Sequence, residues 1–237
     1  MKRINLFTLI LICVCLAGCV GGGGGSNSTS TFCRSYIFCY VNIGELPMEY
    51  KPDQAQLVAY VKPSRELRQD SQLPADKEKF AYLANKHNDT SWNHWVDMPF
   101  LVTSVAVALI HDYTSIQITS DADFDEEHPA GASLGDIIEF QGYTYKPYLD
   151  RQYRHSPGDS PGVISHATEV KKVLNTLTCE DLAVLAKFES GVPVFRFNFL
   201  SLPTASKVHN FKIKFTSDTG SEFAYYTTVD FGVHNEE

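Results

Sequence analysis

The chain has 237 residues, of which 43% are hydrophobic, and its formal net charge is −8 at pH 7. This composition is sufficient for a globular core and excludes a largely disordered chain. The acidic balance argues against nucleic acid or an anionic lipid surface as a partner.

The amino-terminal segment has the features of an export signal. Lys2 and Arg3 precede an apolar run, Ile4–Leu16, which is about 13 residues long and shorter than the roughly 20 that a bilayer-spanning helix needs. The run ends in Leu16-Ala17-Gly18-Cys19, which resembles the lipobox of bacterial lipoproteins. The resemblance implies cleavage before Cys19, a diacylglycerol on its sulfur and acylation of the new amine. Residues 1–18 are therefore expected to be a signal peptide.

Residues 19–31 follow with Val20, five glycines and a run of Ser, Asn and Thr, which have little apolar surface to bury. This composition predicts a flexible tether. A dozen such residues have a root-mean-square reach of about 20 Å. We expect a single β-rich globular domain over residues 32–237, held by its lipid at the cell envelope. The outer membrane is the expected membrane, and its periplasmic or surface face is left open.

The body is rich in short runs of β-branched and aromatic residues bounded by turn residues, as is typical of strands. The predicted strands are Tyr36–Ile43, Gln56–Val61, Phe100–Ile110, Ser115–Thr119, Asp136–Phe140, Val192–Leu200, His209–Thr216 and Glu222–Phe231. We predict a mostly β fold, with the α+β class left open. Its expected form is an antiparallel β-sandwich of immunoglobulin-like architecture.

Two of these strands indicate how they are buried. Phe100–Ile110 is apolar on both faces, which predicts a central strand. His209–Thr216 alternates Phe and Ile with Lys, which predicts a strand with one wet face. The residues 217–221, Ser-Asp-Thr-Gly-Ser, predict a hairpin turn to the next strand.

Helical spacing interrupts the strands between about residues 163 and 190. The apolar residues with this spacing are Val170, Val173, Leu174, Leu177, Leu182, Leu185 and Phe188. Thr178 and Asp181 resemble a capping box that begins the second of two helices. We therefore predict a helical hairpin insertion. A further helix is predicted over Ala75–Asn85, with Phe80 and Leu83 facing inward.

The body contains three cysteines, Cys33, Cys39 and Cys179. We expect buried free thiols, because free cysteine behaves as a small core residue. Cys33 and Cys39 lie in one predicted strand, Phe32–Ile43, where about 20 Å would separate them and exclude a mutual bond. A bridge from either one to Cys179 is left open, and the spacing predicts no zinc site.

Both tryptophans, Trp92 and Trp95, lie in the polar segment Ser91–Trp95. Flat rings among polar neighbours are typical of surfaces that bind glycans or peptides, because the ring buries apolar area while nearby amides hydrogen-bond. Tyr143 and Tyr145 belong to a second aromatic segment and complete the candidate ligand-binding surface. The alternative is that these rings fill the core.

The segment 121–127 holds five carboxylates in seven residues. Asp121, Asp123 and Asp125 alternate in the way that a calcium loop gathers oxygen ligands, so an irregular structural calcium site is one interpretation. An EF-hand is excluded, because Glu126 and Ala132 occupy the positions of its glycine and its last glutamate. A solvated acidic loop is the default, and we expect no other cofactor.

Gly131–Gly135 fits the G-x-S-x-G pattern of a nucleophile elbow, which needs a buried strand before it and a helix after it. Charged residues precede it here and a predicted strand follows, so we interpret it as a glycine-bearing turn. The stretch Asp123–Asp136, with the tether and the β-rich body, resembles uncharacterised lipoproteins of Bacteroidota. That resemblance implies no catalytic residue.

We predict a non-catalytic binding or adhesion module, anchored through Cys19, with a glycan or a protein as ligand. One alternative is a hydrolase of envelope or dietary polymers that uses acids among Asp112, Asp123 and Asp125. Such an enzyme needs two carboxylates about 5–9.5 Å apart in a groove. Another is a structural or accessory component of an envelope or fimbrial assembly, which would display an unpaired edge strand or an apolar patch.

Overall fold

A computed structural model describes residues 30–97, 106–154, 166–188 and 194–232. The predicted signal peptide, Cys19 and most of the tether lie outside the described residues, as does the first part of the predicted strand Phe100–Ile110. The first strand begins at Ser30, two residues before the predicted start of the body.

Strands dominate the described residues. They are β1 (Ser30–Cys33), β2 (Ile37–Glu45), β3 (Met48–Lys51), β4 (Gln56–Ala59), β5 (Lys62–Arg68), β6 (His94–Asp97), β7 (Ala106–Leu109), β8 (Tyr113–Ser120), β9 (Ile138–Thr144), β10 (Thr168–Val173), β11 (Phe195–Phe199), β12 (Val208–Ser217) and β13 (Glu222–Asp230). The helices are α1 (Pro74–Lys86) and α2 (Lys146–Asp150), and short 3₁₀ turns span Pro52–Gln54 and Leu174–Thr176. The prediction of a mostly β chain is confirmed.

Two antiparallel sheets pack face to face as a sandwich. One has the strand order β10-β9-β11-β4-β3 and the other β13-β12-β8. Their inner faces meet through phenylalanines: the Phe195 and Phe215 ring centroids lie 5.6 Å apart, and those of Phe199 and Phe211 5.5 Å apart. Strand β12 buries its Phe and Ile side chains and turns Lys212 outward, as its alternation predicts.

A third sheet has the strand order β5-β2-β7, and helix α1 packs on one of its faces. Helix α1 confirms the predicted helix: it begins with Pro74 and buries Phe80 and Leu83. The Phe80 ring meets the buried Tyr40 of β2 at 5.5 Å between centroids. Within this sheet β2 and β7 run parallel, which an all-antiparallel sandwich does not include.

The predicted first helix of the insertion is wrong. Residues 168–173 form strand β10, which pairs antiparallel with β9. Val170 and Leu174, the residues whose spacing suggested a helix, are buried on the sandwich, while Glu169 and Lys171 are exposed. β-Branched residues favour a strand where a sheet edge is available for pairing, and β9 provides that edge.

The second predicted helix is wrong as well, although its capping contacts form. The Asp181 carboxylate accepts a hydrogen bond from the Thr178 N–H at 2.8 Å. The residues that follow, 182–187, run between two strands instead of coiling. The Leu109 N–H of β7 donates to the Leu185 carbonyl, and the Ala186 N–H donates to the Tyr143 carbonyl of β9, both at 2.8 Å. Residues 182–186 are all buried, and a helix with one wet face cannot bury every side chain. We call residues 182–187 the bridging segment.

The cysteines differ partly from the prediction. All three are free, and Cys33 and Cys39 are buried as expected, but Cys179 is exposed. Phe32–Ile43 is also not one strand, because a bend at residues 34–36 separates β1 from β2. The strand-length argument for the separation of Cys33 and Cys39 therefore does not hold.

Candidate functional site

The most exposed large aromatic side chain of the described residues lies on a two-stranded ribbon. Strands β1 and β6 pair antiparallel and place Phe32 directly opposite Trp95. The two ring centroids are 5.3 Å apart, and Trp95 is 70% exposed and Phe32 41% exposed. We call these side chains the Phe32–Trp95 pair. The two rings together form a solvent-exposed apolar surface.

A sharp bend before β6 places Trp95 there. The N–H groups of Trp92 and Asn93 both donate to the Arg34 carbonyl, at 2.8 and 3.3 Å. Asn93 has a φ of 54°, in the left-handed region that asparagine tolerates better than most residues. The chain therefore turns back along β1, and Trp95 is carried by a paired strand.

Trp92 has a different role from Trp95. Its ring is partly buried, packs edge-on against Tyr36 at 5.6 Å between centroids, and stacks on His94 at 4.4 Å. Trp92 thus links the ribbon to the core, as the core-filling alternative predicts. It has little surface left for a ligand.

The tyrosines of the second candidate segment do not join this surface. Tyr145 is only 5% exposed and packs against Tyr36, so it contributes to the core and not to an exposed surface. Tyr143 is half-buried, with its hydroxyl 3.4 Å from the Glu169 carboxylate and its ring against Phe188. Within the described residues, neither tyrosine forms a ring contact with Trp95.

The interior beside the ribbon holds a buried carboxylate that sequence reasoning missed. Asp89 is fully buried and accepts hydrogen bonds from the Tyr36 N–H at 2.7 Å, the Ile37 N–H at 2.8 Å and the Tyr153 hydroxyl at 3.0 Å. Burial raises the pKa of Asp89 to about 6, against the opposing effect of the Ile37 and Tyr36 amides. The carboxylate fixes the start of β2 through these hydrogen bonds.

The candidate calcium ligands are each used within the fold. The Asp121 carboxylate accepts from the Asn210 N–H, Asp123 from the Ala130 N–H, and Asp125 from the Glu127 N–H, at 2.8 to 2.9 Å. Among the described residues, no group of three or more His, Cys, Asp or Glu side chains is arranged to hold a metal ion. The bonds of Asp123 and Asp125 close the acidic loop on its own backbone, and the bond of Asp121 ties the loop to β12.

The candidate hydrolytic groups are likewise engaged in structure. Asp112 accepts from the Val184 N–H at 2.9 Å and pairs with Lys86 at 2.6 Å. Ser133 lies in the predicted glycine turn, where Gly131 has a φ of 83°. The Ser133 hydroxyl accepts from the Gly135 N–H at 3.3 Å. No described contact joins Ser133 to a histidine.

One histidine ties the acidic loop together. His128 lies between two carboxylates, with Nδ1 2.7 Å from Asp125 and Nε2 3.1 Å from Asp136. Burial alone would lower its pKa, but the hydrogen bonds to Asp125 and Asp136 outweigh burial and raise the pKa of His128 above its usual value.

This geometry predicts a pH-dependent contribution to stability. A raised pKa in the folded state gives stabilisation that is complete below the pKa of the unfolded chain, about 6.5, and is lost as the pH rises through the folded value. We expect the free energy of unfolding of the parent to exceed that of His128→Gln at pH 5.5, and the difference to shrink by pH 8.5. Urea unfolding of the parent and of His128→Gln at both pH values measures this difference in the free energy of unfolding. A difference that is constant with pH would contradict the prediction.

No family model, curated protein or solved structure matches this chain. Within the described ranges, no helix is both long and apolar enough to cross a membrane. The Phe32–Trp95 pair is therefore the candidate site on the strength of its geometry alone.

Proposed function

We propose that this chain is a lipid-anchored protein of the cell envelope that acts as a non-catalytic binding module and contacts its ligand through the Phe32–Trp95 pair. The observation that carries the proposal is the exposed Trp95 indole, held on a paired strand beside a half-exposed phenylalanine. Leaving so much aromatic surface in water forgoes its burial, so a function for that surface is favoured.

The chemistry of the pair suits a flat or extended ligand. A tryptophan on a strand has few side-chain torsions to immobilise, so contact with it costs little conformational entropy. The two rings are tilted by 56° to each other, which offers one broad face and one edge. A sugar ring or an apolar peptide side chain can stack on such a surface, while its hydroxyl or amide groups stay in contact with water.

The position of the pair in the chain supports the anchored arrangement. Phe32 lies 13 residues after Cys19. A tether of this length holds the module within about 20 Å of the membrane surface. The module is thereby held where envelope glycans and neighbouring envelope proteins are concentrated.

The test is a glycan and peptide array on the purified chain, followed by titration of the best ligand. We expect Trp95→Ala to weaken binding at least tenfold, because an aromatic anchor that a ligand buries is worth about 2 kcal/mol or more. Trp95→Phe should retain part of the affinity.

Tyr82→Ala is the matched control, since Tyr82 is an exposed aromatic residue on α1, with 65% of its surface open to solvent. The control should bind like the parent, and all variants should keep the parent's melting temperature within a few degrees. Binding that is equally strong in Trp95→Ala would overturn the proposed site.

A further inference from the structure

Strand β13 is the edge of its sheet in the described part of the molecule. The strand order β13-β12-β8 gives it β12 as a neighbour on one side and no described strand on the other. It pairs with β12 over the whole of Glu222–Asp230, without a bulge or register shift. A long, regular edge of this kind is a template for a further strand.

The hydrogen bonds at both ends of the pair show which backbone groups face outward. The Ser217 N–H donates to the Ser221 carbonyl at 2.9 Å, and the Phe231 N–H donates to the Lys207 carbonyl at 2.8 Å. Opposite residues of an antiparallel pair alternate between hydrogen-bonded and non-hydrogen-bonded positions. The odd-numbered residues of β13 therefore bond β12, and the even-numbered residues point their N–H and C=O groups to the open edge.

The side chains of β13 also fit an added strand. Phe223 and Tyr225 face the sandwich but are only half-buried, whereas their partners Phe215 and Ile213 on β12 are fully buried. A further strand beside β13 would cover the exposed flanks of these two rings. Strand β13 therefore has outward backbone groups without a described partner strand, and rings on its inner face that are only partly covered.

Other sheet edges in the described residues are protected, and β13 is not. Strand β5 has Pro63 and several charged residues, and β10 has adjacent lysines. Strand β8 is covered by the loop before β9, where the Leu134 N–H donates to the Ile118 carbonyl at 2.9 Å. The edge strands β1, β3 and β6 have four residues each. Strand β13 has nine residues, without proline or lysine.

We propose that the β13 edge binds an extended segment of another protein by strand addition. The segment would run antiparallel to β13, with alternate apolar side chains over Phe223 and Tyr225. Its other face would meet the even-numbered residues, which are acidic at both ends, Glu222 and Asp230, and uncharged between them. The matching segment therefore has neutral residues in its middle and basic residues at its ends.

These charges also argue against a second copy as the occupant. Antiparallel pairing of two β13 strands about Tyr226 would put Glu222 opposite Asp230 of the other copy. The chain carries a formal net charge of −8, which the proposed removal of Lys2 and Arg3 with the signal would make −10, so two copies repel each other. A partner with basic flanks is favoured on both counts.

The experiment titrates the protein with the nonapeptide KVTVTVTVK, and the control ligand is the same peptide with two of its central residues replaced by proline. We expect saturable binding of the first peptide alone. Ala224→Pro should weaken binding at least tenfold, because it removes an outward N–H without touching the bonds to β12. Ala224→Thr, which keeps that N–H, should bind like the parent, and Trp95→Ala should have no effect.

Hydrogen exchange on the parent tests strand addition at the β13 edge even if Ala224→Pro does not fold. The amides of Ala224, Tyr226 and Thr228 should exchange rapidly in the free protein and become protected when the peptide binds. The Tyr225 and Thr227 amides should be protected in both states. Absence of peptide binding, protection elsewhere only, or a dimer that Ala224→Pro dissolves would each overturn the proposal.

Discussion

Replacing Asp89 with alanine is expected to cost about 3–5 kcal/mol of the free energy of unfolding, from roughly 1–3 kcal/mol for each buried amide left without an acceptor. The variant leaves the Tyr36 and Ile37 N–H groups unpaired in the interior, together with the Tyr153 hydroxyl. The alanine side chain has no acceptor that could replace the carboxylate oxygens. Denaturant unfolding of parent and variant measures the loss.

Two further variants separate this effect from a general effect of losing a carboxylate. Tyr153→Phe removes one of the three hydrogen bonds to Asp89, together with the longer bond from the exposed Ser91 N–H at 3.3 Å, and should cost about 1 kcal/mol. Asp70→Ala removes an exposed carboxylate that pairs with Arg68 and should change stability by at most about 1 kcal/mol. If Asp89→Ala is no less stable than Asp70→Ala, Asp89 does not hold the start of β2 in the way described.

Cys19→Ser is expected to move the protein from the detergent phase to the aqueous phase when cells are extracted and the phases separated. Two or three acyl chains contribute about 0.8 kcal/mol for each buried methylene, which is enough for firm membrane attachment. A serine at this position cannot form the thioether.

Cys15→Ser is the matched control, since Cys15 lies in the segment that the signal peptidase would remove. It should remain in the detergent phase with the parent. Mass spectrometry of the native parent should give a chain that begins at residue 19 and carries acyl groups. A parent with an intact amino terminus and no added lipid would contradict the anchor.

Local patterns predicted the elements that local chemistry determines. Phe80 and Leu83 recur at helical spacing behind Pro74, and α1 forms there. The alternation of β12 is equally decisive, because its lysines must stay in water while its phenylalanines enter the core. In both elements one face is apolar and the other polar, so only the apolar face can pack into the core.

The wrong predictions arose where burial depends on distant residues. Val170 and Leu174 are compatible with a helical face, but the edge of β9 converts their segment into β10. Tyr145 looks like a surface aromatic in sequence, yet Tyr36, more than a hundred residues earlier, covers it. Asp89 follows a polar stretch and resembles a loop residue. Its role depends on the amides of β2, which no local pattern reveals.

The bridging segment has a consequence for how the molecule assembles. Its backbone joins β7 to β9, and these strands belong to different sheets. Residues 182–187 come late in the chain, after seven of the eight strands of the two sheets that they join. During synthesis the strands that precede residues 182–187 therefore keep apolar faces exposed until this segment emerges.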